Sequence, residues 1–346
     1  MIQVFILNVY ALPYEKNMLS SLRGFIFMQV KLNLCCLLIL TSCGNFLKQN
    51  QSDDAPDNTD GPPLAIFGDS VASGMFADTK LGDSATLEQA KQFAELGRIK
   101  ATTEAESLEY YKAVQKVSAR PDKTAFGGRE NYSYAARLNQ LTGKKFSVWN
   151  FAVPGTTTET MQEQIPRARS TSAFAADKEP LVVFHMGAND FCDRRMTEFR
   201  GTYALRLREI AQLNPKSKIM TVMIPNIPQV LSMQERTAFK LPSRSLSCEQ
   251  MRKELGFCAK VNIHNGQAAG DLNSFKKELA DMNTAIKEET AKLAKELNRE
   301  GKFIFAEYNF TDLTDEHLAI DCFHPSSKGQ EGLAEMTWNQ FKKLVQ

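Results

Sequence analysis

Five short apolar runs punctuate the chain from Leu64 onward: Leu64–Phe67, Phe146–Phe151, Leu181–Met186, Ile219–Ile224 and Phe303–Ala306. The third and fourth, LVVFHM and IMTVMI, are almost continuously apolar, the pattern of strands covered on both faces. Helical periodicity fills the intervals. Arg194–Leu213 is amphipathic, and Asp271–Leu297 places Phe275, Leu279, Met282, Ile286 and Leu293 at helical spacings. The charges of Lys276–Glu300 read as the solvated face of that helix. Asp83–Val117 reads as helical material inserted after the first strand, and Gly329–Val345 as a last helix behind Pro325 and a Ser327…Gln330 capping box. Strands alternating with helices predict an α/β fold with a parallel five-stranded sheet and helices on both faces.

The N-terminal part has a different texture. Lys31 precedes an apolar core, Leu32–Leu40, too short to span a bilayer but of signal-peptide length. It ends in Leu40-Thr41-Ser42-Cys43, which resembles a bacterial lipobox whose cysteine is lipidated and becomes the mature N-terminus. The alternative is an ordinary secretory signal with a chance cysteine. Residues 1–27 read as an upstream mis-start, since translation from Met18 or Met28 suffices, and 28–42 as the signal peptide. Residues 43–62, rich in Asn, Asp, Gln and Pro, read as a tether unable to bury enough apolar surface to order itself. The expectation is an exported lipoprotein held at a membrane through Cys43, the outer membrane or cell surface favoured, with one folded domain over 63–346. A net charge of +2 over 346 residues argues against a general nucleic-acid binder.

Chemistry gathers where the strands should end, the usual place for reactive groups in parallel sheets. The first strand runs into Gly68-Asp69-Ser70, the second into a loop with Asn150 and Gly155, and the third into Gly187-Ala188-Asn189-Asp190. After the fifth comes DCFHPS, with Asp321 and His324 three residues apart. Each block alone is ordinary loop composition. In this order they supply a hydroxyl, a glycine N–H, an asparagine amide and an Asp–His pair.

These blocks resemble the SGNH, or GDSL, hydrolase superfamily over essentially the whole stretch from Leu64 onward, and NFAVPG, GANDFC and DCFHPS look most like its phospholipase B-like branch. The resemblance implies a three-layer α/β/α, flavodoxin-like fold. It also implies Ser70 as nucleophile, His324 as base, Asp321 as its orienter, and Ser70, Gly155 and Asn189 as oxyanion donors. Val71 stands where the GDSL name expects leucine, a conservative apolar exchange. The chemistry is coherent: a serine hydroxyl needs a base, the base needs an orienting carboxylate, and the developing oxyanion needs preorganised donors. The implied function is hydrolysis of acyl esters, with phospholipid or lysophospholipid favoured. Deacetylation of envelope polysaccharide or short-chain ester hydrolysis is the enzymatic alternative, and a catalytically inactive envelope lipoprotein the non-enzymatic one. No cofactor and no metal site are expected, since no companion ligand set accompanies Asp321 and His324.

Three other histidines compete for attention. His317, beside Asp315 and Glu316, is the rival base, whereas His185 reads as a core residue and His264 as part of a surface loop. Asp190 reads as a support for the Asn189 loop, and Asp69 as an orienter of the Ser70 turn. Beyond the signal and Cys43 remain Cys192, Cys248, Cys258 and Cys322, an even number that suggests two disulfides with three connectivities. A local Cys248–Cys258 bond is expected, with Cys192–Cys322 clamping the Asn189 and His324 loops if these meet over Ser70. Four free buried thiols are the alternative.

Overall fold

The computed structural model describes residues 60–80, 82, 120–231, 272–308 and 313–346, with short pieces between 233 and 268. Cys43, the signal, the tether, Asp83–Val117 and most of Ser243–His264 lie outside the described residues. The apolar runs become β1 (Pro63–Gly68), β2 (Ser147–Asn150), β3 (Leu181–His185), β4 (Lys218–Val222) and β5 (Phe303–Ala306). They pair in the order β2-β1-β3-β4-β5, all parallel, as one five-stranded sheet.

Every residue of β1 is buried, because successive side chains enter opposite layers. Ala65 and Phe67 join Val182, Phe184 and Ile219 beneath helices α4 (Met196–Leu213) and α6 (Leu272–Glu296). Leu64 and Ile66 join Val183, Met220 and Val222 beneath α1 (Tyr134–Thr142) and α7 (Ser327–Lys342). Two short helices lie nearer the site, α2 (Gln164–Arg169) and α3 (Ala188–Cys192); α5 (Ile227–Leu231) follows β4. The three layers expected from the sequence are therefore present. Aromatic pairs stitch them: Tyr134 of α1 stacks on Phe341 of α7 at 4.4 Å, and Phe184 of β3 on Tyr203 of α4 at 4.9 Å.

Element ends deviate from the sequence expectation for identifiable reasons. The helix expected from Arg194 begins at Met196, because Arg194 has φ +56° and cannot propagate a right-handed turn. The final helix is capped by Ser326, whose hydroxyl accepts from Gly329 N at 3.2 Å, so the Ser327…Gln330 capping box does not form. Ser327 instead donates to Ala77 O at 2.6 Å, and Gln330 reaches across to Val71 O in the turn that carries Ser70. Two small antiparallel hairpins pair Thr237–Lys240 with Ser245–Ser247 and Ile263–His264 with Gln267–Ala268, so His264 lies in a strand, not in an open loop.

Candidate active site

β1 delivers Ser70 through a crowded turn. A Cβ on Gly68 would lie 2.4 Å from the His185 carbonyl oxygen and 2.6 Å from the Ala72 Cβ, so only glycine fits where β1 leaves the sheet. Asp69 Oδ1 accepts from Val71 N at 3.0 Å. Ser73 N donates to Asp69 O, and Met75 N to Ser70 O. No regular helix follows. Gly74 and Phe76 both take positive φ, and the bonds mix spans of three, four and five residues, so a helix dipole at Ser70 is not part of this site. Two buried glutamines clamp the turn from other layers. Gln164 of α2 accepts from Gly68 N at 3.1 Å and donates to Gly68 O at 2.8 Å. Gln330 of α7 donates to Val71 O and accepts from Ala125 N.

The Asp321–His324 segment folds as a tight loop closed by a Leu318–Pro325 bridge and by Ala319 N donating to His324 O at 2.8 Å. Cys322 sits in the left-handed region, φ +60°, which turns the chain between Asp and His. Asp321 Oδ1 accepts from the backbone N–H groups of Phe323 and His324, while Oδ2 lies 2.5 Å from His324 Nδ1. On the far side of the ring, His324 Nε2 lies 2.7 Å from Ser70 Oγ. Ser70, Asp321 and His324 are all buried. The rival His317 turns its Nδ1 to Thr314, 2.8 Å from the hydroxyl, and so caps its own short turn.

On the other side of Ser70 the loops after β1, β2 and β3 are laced together. Val153 N donates to Gly68 O, and Asn150 Nδ2 to Ala72 O. Gly155 has φ +77°, a conformation that suits glycine. Asn189, in the first turn of α3, donates one amide hydrogen to Thr156 O at 2.9 Å. Asp190 is buried and accepts from both the N–H and the hydroxyl of Thr158, so it braces the Gly155 loop as well as its own. Burial pushes the Asp190 carboxyl up to about 6; the Thr158 bonds oppose this, and the Asp69 charge adds to it. Arg206 of α4 holds the same loop by donating to the carbonyls of Thr158 and Glu159. Gln164 and Arg206 escaped the sequence reading, and Gln330 entered it only as a capping-box residue, not as a clamp on the Ser70 turn. The backbone groups that these three side chains hold lie 47 to 259 residues away, and no local motif marks such pairings.

The cysteine pairing expected from spacing is wrong. The structure joins Cys192 to Cys258, with Cα atoms 4.4 Å apart, and Cys248 to Cys322, at 5.3 Å. Neither Cys248–Cys258 nor Cys192–Cys322 forms. Cys192 and Cys258 both enter the core layer under α4 and α6. Cys322, turned by its left-handed backbone, is fully buried against Cys248, whose N–H is fixed to Arg236 O at 2.8 Å. The expectation that Cys192 and Cys322 sit on the two site loops holds. Each is tied to a third segment, not to the other.

A parallel three-layer α/β domain with a buried Ser–His–Asp hydrogen-bonded line at the carboxyl edge of its sheet defines a serine hydrolase of the SGNH class. The family model for GDSL-like lipase/acylhydrolase matches residues 64–336, and the chain belongs to that family. No curated protein matches the chain. Among solved structures it is similar to an active-site mutant of a family two carbohydrate esterase from Clostridium thermocellum, at 14% identity and TM-score 0.45 over 84% of this chain; it spans 65% of that protein's length. It is also similar to the lipase Lip_vut3 from a goat rumen metagenome (11% identity, TM-score 0.41, 81% of this chain and 97% of that one). A third is phospholipase A1 from Streptomyces albidoflavus NA297 (10% identity, TM-score 0.37, 81% and 99%).

Proposed function

We propose that the protein hydrolyses acyl esters through an acyl-enzyme on Ser70. The observation that carries this reading is the unbroken line from Ser70 Oγ through both ring nitrogens of His324 to Asp321. His324 Nε2 takes the hydroxyl proton as Ser70 attacks the ester carbonyl, and Asp321 holds the Nδ1–H and stabilises the imidazolium. The N–H groups of Ser70 and Gly155 and the Asn189 amide hydrogen not given to Thr156 serve as oxyanion donors. Removing one such donor typically costs about 2.7–4 kcal/mol of transition-state stabilisation. His324 then returns the proton to the leaving alcohol and activates the water that releases the acid.

For the substrate we favour a phospholipid or lysophospholipid. An apolar cavity of about 60 Å³ is lined by Val71, Ala188 and Phe323, the chain neighbours of Ser70, Asn189 and His324, together with Ile227, Val230 and Leu318. An acyl chain suits such a wall better than a sugar does. A lipid anchor on Cys43 would keep the enzyme at its substrate's surface, because two or more buried acyl chains hold stably where one does not. Profiling fatty acid and acetate released from phospholipids, acylglycerols and acetylated glycans tests the substrate. Acetate release alone would move the assignment to a polysaccharide deacetylase. A fluorophosphonate probe tests the mechanism, since an inactive lipoprotein would not label at Ser70.

A further inference from the structure

Beside the nucleophile turn lies a second acid–imidazole pair that the proposed mechanism does not use. His185, the last residue of β3, stands opposite Gly68 in the sheet register. It is 1% exposed, and Asp69 is 0% exposed. His185 Nδ1 lies 3.7 Å from Asp69 Oδ1. Neither ring nitrogen of His185, nor Asp69 Oδ2, has a hydrogen-bond partner among the described residues. The ring otherwise meets Phe126, whose centroid is 5.8 Å away.

Such a cluster needs a physical account, because buried polar atoms are almost always paired and each orphan is costly. For His185 Nδ1 the structure places Asp69 Oδ1 within reach. A small rotation of the imidazole converts 3.7 Å into a hydrogen bond from the ring N–H to the Asp69 carboxyl group, the contact that the geometry offers this pair. Asp69 already accepts from Val71 N, the amide that follows Ser70. We propose that His185 is a positioning residue for the nucleophile: its Nδ1–H holds Asp69, and Asp69 in turn fixes the backbone on the C-terminal side of Ser70. The serine is then braced through its own chain by His185–Asp69 and through its hydroxyl by His324–Asp321. Gly68 contributes by its missing side chain, which lets the His185 backbone approach the turn. This inference rests on Ser70 being the nucleophile.

The test compares His185→Phe, which keeps a flat ring and cannot donate, with His185→Gln, whose amide can. Because misplacement of a reacting group on the ångström scale can cost about a hundredfold, His185→Phe is expected to lower kcat by about tenfold to a hundredfold with KM unchanged. Fluorophosphonate labelling of Ser70 should slow by the same factor. His185→Gln should recover most of the loss, and adding His185→Phe to Asp69→Ala should lower kcat no further than Asp69→Ala does alone. If His185→Phe does not fold, His185→Met takes its place. Full kcat in the non-donating variant, with only the melting temperature moved, would overturn the proposal, as would equal losses in the donating and non-donating variants. Ser70→Ala is assayed in parallel. Activity there refutes the nucleophile itself, whereas an inactive Ser70→Ala beside a fully active His185→Phe refutes only the role of His185.

Discussion

Gln164 offers the sharpest test of how the sheet presents its serine. Its amide is 1% exposed and bonds both polar groups of the Gly68 peptide, two residues before Ser70. Gln164→Leu keeps the volume and removes both partners. The Gly68 carbonyl retains the bond from Val153 N, at 3.1 Å, but the Gly68 N–H loses the acceptor that Gln164 supplies. One stranded buried donor and one half-satisfied acceptor together should cost about 2–4 kcal/mol. Gln164→Glu sharpens the argument. A protonated Glu can still donate to Gly68 O and accept from Gly68 N, whereas a carboxylate would be buried against a carbonyl oxygen. Burial raises a carboxyl pKa, so this variant should be close to wild type at pH 4 and lose stability as pH rises through that raised value. Urea unfolding of wild type and both variants from pH 4 to 8 measures these differences, with Ser70 labelling as a readout of turn geometry. A Gln164→Leu loss below about 1 kcal/mol, or a pH-independent deficit in Gln164→Glu, would refute the clamp, given that a net buried hydrogen bond is worth about that much.

Other outcomes follow from the same geometry. Ser70→Ala and His324→Ala should each abolish esterase turnover by on the order of 10⁶-fold while leaving the fold intact, and the double variant should be little worse; additive losses would break the triad reading. Asp321→Asn should retain more activity than His324→Ala. Breaking Cys248–Cys322, which closes 74 residues, should cost about 4.5 kcal/mol by chain entropy, much as breaking Cys192–Cys258 over 66 residues should. Only the first perturbs the loop carrying His324, so Cys248→Ala should lower kcat more than Cys258→Ala at matched stability, and equal kcat in the two would contradict this. Asp190, raised from 3.8 to about 6 chiefly by burial, binds its proton more tightly in the folded state. Its contribution is fully present below about pH 4 and is lost as pH rises through 6. The stability gap between wild type and Asp190→Asn should therefore shift by about 3 kcal/mol between pH 4 and 8 in chemical denaturation, and a flat difference would count against it.

Strands and chemical blocks were legible because both are local. A run such as LVVFHM reports double-sided burial wherever it falls, and Gly-Asp-Ser or Asp-Cys-Phe-His carries its chemistry within four residues. The ends of the three long helices were readable to within three residues, limited by backbone states such as the positive φ of Arg194 that composition does not announce. Ser326 and Ser327 are equally good caps on paper, and the fold chose Ser326 because Ser327 was needed against Ala77. The supports were not legible. Gln164, Gln330 and Arg206 look like surface residues until the layers close over them. The disulfides failed for a related reason: nearness in sequence favoured Cys248–Cys258, but the pairing depended on which layer each thiol enters.

That pairing also constrains how the chain can mature. Counted from Cys192 onward, the four cysteines bond first to third and second to fourth, so the two covalent loops overlap along the sequence. A chain oxidised as it emerges from its N-terminal end would offer Cys192 and Cys248 to each other before Cys258 appears. The early bond would be non-native, and reaching the final set then requires a thiolate to attack it and reshuffle the partners. Such exchange takes seconds to hours depending on oxidant and isomerase. The yield of native enzyme should thus depend on the exchange capacity of the medium, and a strongly oxidising environment without a shuffling thiol should trap a chain whose histidine loop is bonded through Cys322 to Cys258 instead of Cys248.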